Sequence, residues 1–175
     1  WEKVQIGALC QIIKGEQLNR DAMSLDASYP VYNGGMFPSG FHSEYNTEAG
    51  TIIISEGGNS CGYVNIVNER FWRGGHCYGL FGYECDTQFL FQMLKYRESD
   101  IMKLRAGSGL PNIQKNSLSE FFISLPVSRS EQTAIATVLT DMDTEIASLE
   151  AKKAKFELIK KGMMQELLTG KVRLV

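Results

Sequence analysis

The side chains with the clearest chemical potential in this sequence are those of two histidines and four cysteines. Imidazole and thiolate groups are the usual ligands of structural zinc. A conceivable set of four ligands is Cys61, His76, Cys77 and Cys85. However, the cysteines form no CxxC pair, and adjacent residues of a strand, such as His76 and Cys77, point to opposite faces. The sequence therefore argues against this zinc site and favours reduced, mostly buried thiols.

No motif for catalysis accompanies these residues. The sequence has no phosphate-binding loop, no GxSxG nucleophile elbow, no HExxH pair and no dinucleotide fingerprint. Gly107-Ser108-Gly109 could suggest a nucleotide site, but the Leu-Pro-Asn that follows favours a turn. His42 and His76 have no Ser or Cys partner at a recognisable spacing. We therefore predict a binding protein that is not an enzyme and that has no metal site or cofactor in this chain.

The element that the sequence marks most clearly is a long C-terminal helix, because apolar residues recur there at alternating steps of four and three, with charged interruptions at Lys153 and Lys160. This spacing predicts a coiled-coil seam. The predicted helix-pairing residues are Ile135, Leu139, Met142, Ile146, Leu149, Phe156, Met163 and Leu167. Ser128 and Glu131 fit a capping box at its start, and Gly170 can close its end. A helix of this length exceeds what the preceding domain could cover, so we expect its seam to need a partner helix.

The preceding residues predict an α+β fold, with a β-rich globular domain that carries short helices. Residues 51–55, 61–67 and 76–81 are predicted strands of an antiparallel meander, separated by glycine-rich turns. Asp86 is the predicted N-cap of a helix over 87–98, with a second helical piece at 101–104. A last strand over 121–125 ends at Pro126. We therefore place the globular domain at residues 1–127 and the long helix with its short tail at 128–175.

Size and charge restrict the class of protein. A chain of 175 residues with 43% hydrophobic content can form one globular domain and an appendage. The net charge of −2 argues against non-specific coating of nucleic acid, although local basic surfaces remain compatible with it. No apolar run approaches the length of a membrane span, and the first residues are not a signal peptide. We expect a soluble, cytoplasmic protein that does not bind membranes.

Several segments resemble one known family, the DNA specificity subunits of type I restriction-modification systems. The specific motifs are AGSGLPNI at 106–113, FISLP at 122–126, Glu131-Gln132 with Ile135-Ala136, and KKGMMQELLTGKVRL at 160–174. Trp1, YPVY at 29–32, the glycine pair at 34–35 and residues 58–62 fit the target recognition domain of this family more loosely. The resemblance covers essentially the whole chain, and its specific motifs lie after residue 105.

The resemblance implies an architecture and a division of labour. Family members usually carry two tandem units, each with a target recognition domain and a conserved helix, and their antiparallel helices set the spacing between two DNA half-sites. With one unit, this chain would be half of a longer subunit, or a half-subunit that self-associates. It would bind double-stranded DNA, while methyltransferase subunits docked on the helix use S-adenosylmethionine to methylate adenine. A restriction subunit would use ATP and Mg to move and cut DNA.

Polar and basic residues beside the glycine-rich loops are the candidates for DNA contact. Specific recognition needs hydrogen-bonding groups at base edges and cations at phosphates. The loop candidates are Lys14, Gln17, Asn19, Arg20, Asn33, Ser39, His42, Asn59 and Ser60. The candidate phosphate partners are Arg70, Arg73, Lys103, Arg105 and Lys115. For each of them the alternative is an exposed side chain that touches nothing, and the resemblance does not decide between the two.

The residues alone also allow a different class of function. The chain could be a non-enzymatic assembly module whose β-rich domain binds protein or glycan and whose coiled coil only oligomerises. The modest acidity of the chain favours this alternative slightly. Salt-dependent binding of duplex DNA would count against it.

Overall fold

The computed structural model describes every residue of the chain except 25, 108 and 110. Two positions of the AGSGLPNI motif, Ser108 and Leu110, therefore lie outside the described residues. The strands are β1 (Glu2–Gln5), β2 (Gln11–Lys14), β3 (Tyr29–Tyr32), β4 (Gly40–His42), β5 (Thr51–Ser55), β6 (Val64–Val67), β7 (Trp72–Arg73), β8 (Cys77–Phe81) and β9 (Phe122–Leu125). The helices are α1 (Ile6–Leu9), α2 (Thr87–Tyr96), α3 (Glu98–Met102), α4 (Lys115–Ser119) and α5 (Arg129–Leu168), with a 3-10 helix at Arg20–Ala22.

The central element is a four-stranded antiparallel sheet with the order β2-β8-β5-β6. All five residues of β5 are buried, which confirms the strand predicted from its run of isoleucines. The predicted meander is wrong, because β6 and β8 flank β5 on opposite sides instead of following one another. The physical reason is β7, which lies between them in sequence and pairs with a different sheet.

That second sheet has the order β4-β3-β7, and β3 runs parallel to β7. Parallel neighbours need a long connection, and here the chain between them contains two strands of the central sheet. The two sheets are therefore interleaved in sequence. A separate antiparallel pair, β1 with β9, joins the start of the chain to the predicted last strand.

Helix α2 covers the central sheet as its spacing predicted. The Asp86 carboxylate accepts a hydrogen bond of 3.0 Å from the Phe89 N–H, which confirms the N-cap. Its residues Leu90 and Leu94 are buried in the same core cluster as Ile52 and Ile54. The predicted helical run over 87–98 is divided, because α2 ends at Tyr96 and α3 begins at Glu98.

Helix α5 is continuous over 40 residues, as the seam predicted. The chain divides into two compact units, Trp1–Ala136 and Thr137–Val175, so the first two turns of α5 belong to the globular unit. Gln132 is buried there and accepts a 2.8 Å hydrogen bond from the Asp86 N–H. At the same end, the Ser128 hydroxyl lies 2.7 Å from that of Ser130, and Glu131 accepts from the Trp1 indole at 3.0 Å.

Candidate nucleic-acid interface

Loops from both sheets meet at one end of the central sheet. Strands β2 and β5 end beside the first residues of the antiparallel strand β8. The segments that follow β2 and β5 therefore lie next to the segment that precedes β8. Main-chain hydrogen bonds hold them together. Gly15 N–H donates to the Cys77 carbonyl at 2.9 Å, Glu56 N–H to the His76 carbonyl at 2.9 Å, and Gly74 N–H to the Tyr32 carbonyl at 2.8 Å.

Pro111 and Asn112 form a further wall of the same region. Gly58 N–H donates to the Pro111 carbonyl at 3.1 Å, and Ile113 N–H donates to the Glu56 carbonyl at 2.8 Å. The result is an open depression of about 430 Å³, which we call the polar cleft. It is lined by Lys14, Asn33, Glu56, Gly57, Gly58, His76, Pro111 and Asn112.

Glu56 is the electrostatic centre of the polar cleft. Its carboxylate lies 2.7 Å from Lys14 Nζ and 3.4 Å from His76 Nδ1, and it accepts a 3.1 Å hydrogen bond from the Tyr78 hydroxyl. Burial raises the pKa of Glu56, but the hydrogen bonds from Lys14, Tyr78 and His76 outweigh burial and leave the pKa below its ordinary value. The carboxylate is therefore ionised at neutral pH, beside the half-exposed side chains of Lys14 and His76.

The structure brings together one group of the predicted DNA-contact residues. Lys14 and Asn33 line the polar cleft, and the Asn33 Oδ1 accepts from the His76 N–H at 3.3 Å. Asn59 and Ser60 lie in the adjoining β5–β6 loop, where the Ser60 hydroxyl donates to the Gly34 carbonyl at 2.6 Å. The side chain of Gln17 lies beside Gly75, in the β7–β8 loop.

The family profile described as "Type I restriction modification DNA specificity domain" matches residues 1–158. The chain belongs to this family. It is 34% identical over 152 residues to a protein of Mycoplasma pneumoniae named as a type I specificity subunit, and 29% identical over 160 residues to the EcoDI type I specificity subunit of Escherichia coli. These comparisons confirm the family resemblance found in the sequence.

A solved structure shows the same fold. The S subunit of a type I restriction-modification system from M. genitalium superposes with a TM-score of 0.82 at 29% identity, over 95% of this chain. The match confirms an α+β domain followed by a long helix. The chain spans 45% of that subunit, 40% of the M. pneumoniae protein and 34% of the E. coli protein. These relatives cover 85% and 91% of the chain in the sequence comparisons.

Other predicted contact residues of this specificity domain lie outside the polar cleft. His42 packs its ring on Trp72 at 4.9 Å between centroids, in the second sheet. Arg70 pairs with Glu48 at 3.0 Å, and Lys103 pairs with Asp100 at 2.8 Å. The remaining candidates are Asn19 and Arg20 at the 3-10 helix, Ser39 at the end of the β3–β4 loop, Arg105 after α3, and Lys115 at the start of α4. Their DNA contacts stay predictions.

Arg73 requires a correction, because it is not a surface residue. Its side chain is buried, and the guanidinium donates to the Ile13 carbonyl and to the Thr47 hydroxyl. It also lies 5.2 Å from the centroid of the Phe81 ring. From the sequence, Arg73 is predicted to be an exposed phosphate partner because Gly74 follows it. In the structure, its side chain connects β7 to β2.

Sequence reasoning missed the role of Glu56 and treated His76 only as a potential metal ligand or catalytic base. A usable signal existed for Glu56, since it directly follows a fully buried strand and precedes a glycine pair. Among the described residues, no group of three or more His, Cys, Asp or Glu side chains could hold a metal ion. Burial raises the pKa of Cys10 to about 12 and that of Cys77 to about 11, so both buried thiols are neutral at physiological pH.

Within the described part of the chain, no helix combines the length and the apolar character that crossing a bilayer requires.

Proposed function

We propose that this specificity domain recognises one half of a bipartite duplex DNA target through the polar cleft and the loops around it. The observation that carries the proposal is the convergence of five chain segments on one polar depression, each tied to a neighbour by main-chain hydrogen bonds. Loops anchored in this way can present side chains to a ligand with little loss of conformational entropy on binding.

The chemistry of the polar cleft suits sequence recognition better than non-specific attraction. Asn33 and Asn112 carry amides, which can pair with adenine in the major groove, and Lys14 can reach a phosphate or a guanine edge. Glu56 already neutralises Lys14, so phosphate attraction alone would contribute little there. Hydrogen bonds to base edges would then determine which duplex is bound, consistent with a chain whose net charge is −2.

The long helix would bind the partner that carries the second half of the recognition unit. Its seam residues Met142, Ile146, Leu149, Phe156 and Met163 are each between 52% and 58% exposed. Apolar residues at heptad spacing favour burial against another helix. Because the chain spans less than half of its relatives, the partner helix would belong to a second copy of the chain or to a second specificity half.

The catalytic steps would belong to other subunits. Methyltransferase subunits docked along α5 would bind S-adenosylmethionine and methylate adenine at the target, and a restriction subunit would use ATP and Mg. The specificity domain would direct both activities by positioning them on DNA, and it would do so in the cytoplasm. Its relatives carry the name of specificity subunits, which supports this division of labour.

The test is selection of duplexes with a randomised centre by the chain, alone and assembled with methyltransferase subunits. We expect enrichment of one short sequence, whose affinity falls as salt rises from about 50 to about 200 mM. Lys14→Ala should weaken binding to the selected duplex through the loss of a hydrogen bond and leave the salt slope almost unchanged, because Glu56 already neutralises Lys14. Lys152→Ala on α5 is the control and should change neither quantity. Recovery of no preferred sequence in either format would contradict the proposal and favour an assembly module.

A further inference from the structure

The β3–β4 loop carries an apolar tip that the polar cleft does not use. Phe37 is 77% exposed and Met36 is 49% exposed, and Pro38 follows them. Exposure of a phenylalanine side chain to water is less favourable than its burial, because its apolar surface is then hydrated. A side chain of this type at a loop tip therefore favours a bound state in which it is covered.

The base of this loop is held firmly. The Gly34 carbonyl accepts hydrogen bonds from the hydroxyls of Ser55 and Ser60, and the Gly34 N–H lies 3.0 Å from Cys77 Sγ. At the other end of the loop, the Ser39 N–H donates to the Val31 carbonyl at 2.8 Å. The base of the loop, which connects two strands of the second sheet, is therefore fixed to β5 and β8 of the central sheet.

The surroundings of the loop indicate which ligand covers the tip. Gly34 packs against His76, and Asn33 bonds the His76 backbone, so the loop rises from the wall of the polar cleft. A standard protein interface buries roughly 800 Å² on each partner, and three apolar residues would supply only a small part of that area. A duplex bound in the polar cleft would itself supply the larger contact area, and within such a complex a single wedge of Phe, Met or Pro can enter between two base pairs.

We propose that Phe37, flanked by Met36 and Pro38, inserts into the base stack of the recognised duplex and unstacks one base step. The inference rests on the proposed function, since it requires that the polar cleft binds DNA. It adds a source of specificity that hydrogen bonding does not supply. Pyrimidine–purine steps unstack most easily, so the half-site should carry such a step opposite the loop.

The experiment uses the duplex selected by the chain assembled with its methyltransferase subunits. The fluorescent base 2-aminopurine replaces each adenine in turn except the one that is methylated, because methyltransferases flip their target base out of the duplex. Its fluorescence rises when it leaves the stack. We expect a rise at one step with the natural chain, none with Phe37→Ser, and a partial rise with Phe37→Leu. Because base–aromatic stacking is lost, Phe37→Ser should also weaken specific binding by about 10-fold.

Tyr96→Ser is the matched control, because Tyr96 is an aromatic residue at the end of α2 that is 82% exposed. It should leave fluorescence and affinity unchanged, and both variants should keep the melting temperature of the natural chain. A fluorescence rise that persists with Phe37→Ser overturns the wedge, as does specific binding by the natural chain without any rise. In both cases the proposed function survives.

Two further outcomes separate the alternatives. If Phe37→Ser weakens assembly with the methyltransferase subunits and leaves the fluorescence rise intact, the tip contacts protein and the wedge is overturned. If no duplex is selected at all, the proposed function and the wedge both fail.

Discussion

Lys14 and Glu56 form an ion pair of 2.7 Å between Nζ and Oε1, which joins the last residue of β2 to the residue that follows β5. These two strands are not neighbours, since β8 lies between them. The pair therefore spans the width of three strands, and the Tyr78 hydroxyl of the middle strand donates to the same carboxylate oxygen at 3.1 Å. Glu56 therefore connects β2, β8 and β5 at the end of the central sheet. It also places a negative charge in the polar cleft.

The first prediction concerns the acid stability of this link. The pKa of Glu56 is lower in the folded chain than its ordinary value of 4.5, because hydrogen bonds to Lys14, Tyr78 and His76 outweigh the effect of burial. Its contribution to stability is therefore complete above about pH 4.5 and is lost as pH falls through the folded pKa. Glu56→Gln should flatten the melting temperature profile between about pH 5 and about pH 3.

Glu150→Gln, which changes an exposed carboxylate of α5, is the control for that measurement. It should leave the acid limb of the profile as steep as in the natural chain. Parallel profiles for Glu56→Gln and the natural chain would show that the ion pair contributes nothing.

The second prediction separates a structural arginine from an exposed one. Arg73→Ala removes the donors to the Ile13 carbonyl and the Thr47 hydroxyl and leaves a cavity where a buried side chain had been. We expect a loss of about 2–4 kcal/mol in the free energy of unfolding, measured in urea. Arg70→Ala removes a solvent-exposed pair with Glu48 and an exposed contact with the Tyr45 ring, and it should lower the free energy of unfolding by less than about 1 kcal/mol. Equal midpoints for the two variants would place Arg73 on the surface after all.

The long helix and the central strand could be predicted from sequence, whereas the position of Arg73 could not. A seam from Ile135 to Leu167 and a run of isoleucines at 52–54 are local signals, and both predict elements that the structure contains. The parallel pairing of β3 with β7 joins residues about 40 positions apart, and no local pattern encodes it. It is this pairing that turns Arg73 inward and rearranges the expected meander.

The candidate site was predictable only in part, for a related reason. Lys14 and Asn33 were chosen by residue type, and the sheet brings both to the polar cleft. His42 and Lys103 were chosen by the same rule, yet they lie against Trp72 and Asp100. Residue type identifies which side chains can contact DNA. The order of the strands decides which of these side chains lie close enough to contact the same ligand.

The third prediction tests the anchor of the β3–β4 loop. Gly34 has a φ of +89°, and a Cβ there would lie 2.9 Å from the His76 carbonyl oxygen. Gly50 has a φ of +78° but open space around it. Gly50→Ala should therefore cost only the backbone strain, about 1–2 kcal/mol, and Gly34→Ala should cost at least ~1 kcal/mol more because it also separates two loops. Thermal unfolding measures both, and equal losses would mean that the contact with His76 is unimportant.

The fourth prediction concerns the seam of α5, whose apolar residues have no cover within the described unit Thr137–Val175. Ile146 is 52% exposed and Leu149 is 54% exposed, and both lie on the predicted stripe. If two copies pair along this stripe, Ile146→Lys places unpaired ammonium groups between them. We expect a dissociation constant raised by on the order of 100-fold, since burying such a charge costs about 3 kcal/mol. Sedimentation equilibrium of the natural chain and the variant measures this change.

Leu158 provides the matched control for the seam, because it is also apolar, is 71% exposed and lies on the opposite side of the heptad repeat. Leu158→Lys introduces the same charge into the same helix and should leave the association constant unchanged. Equal weakening by both variants would indicate a general effect of charge instead of a seam. A dimer that survives Ile146→Lys and Leu149→Lys would mean that the chains associate through another surface, and the helix would then be free to receive a second specificity half.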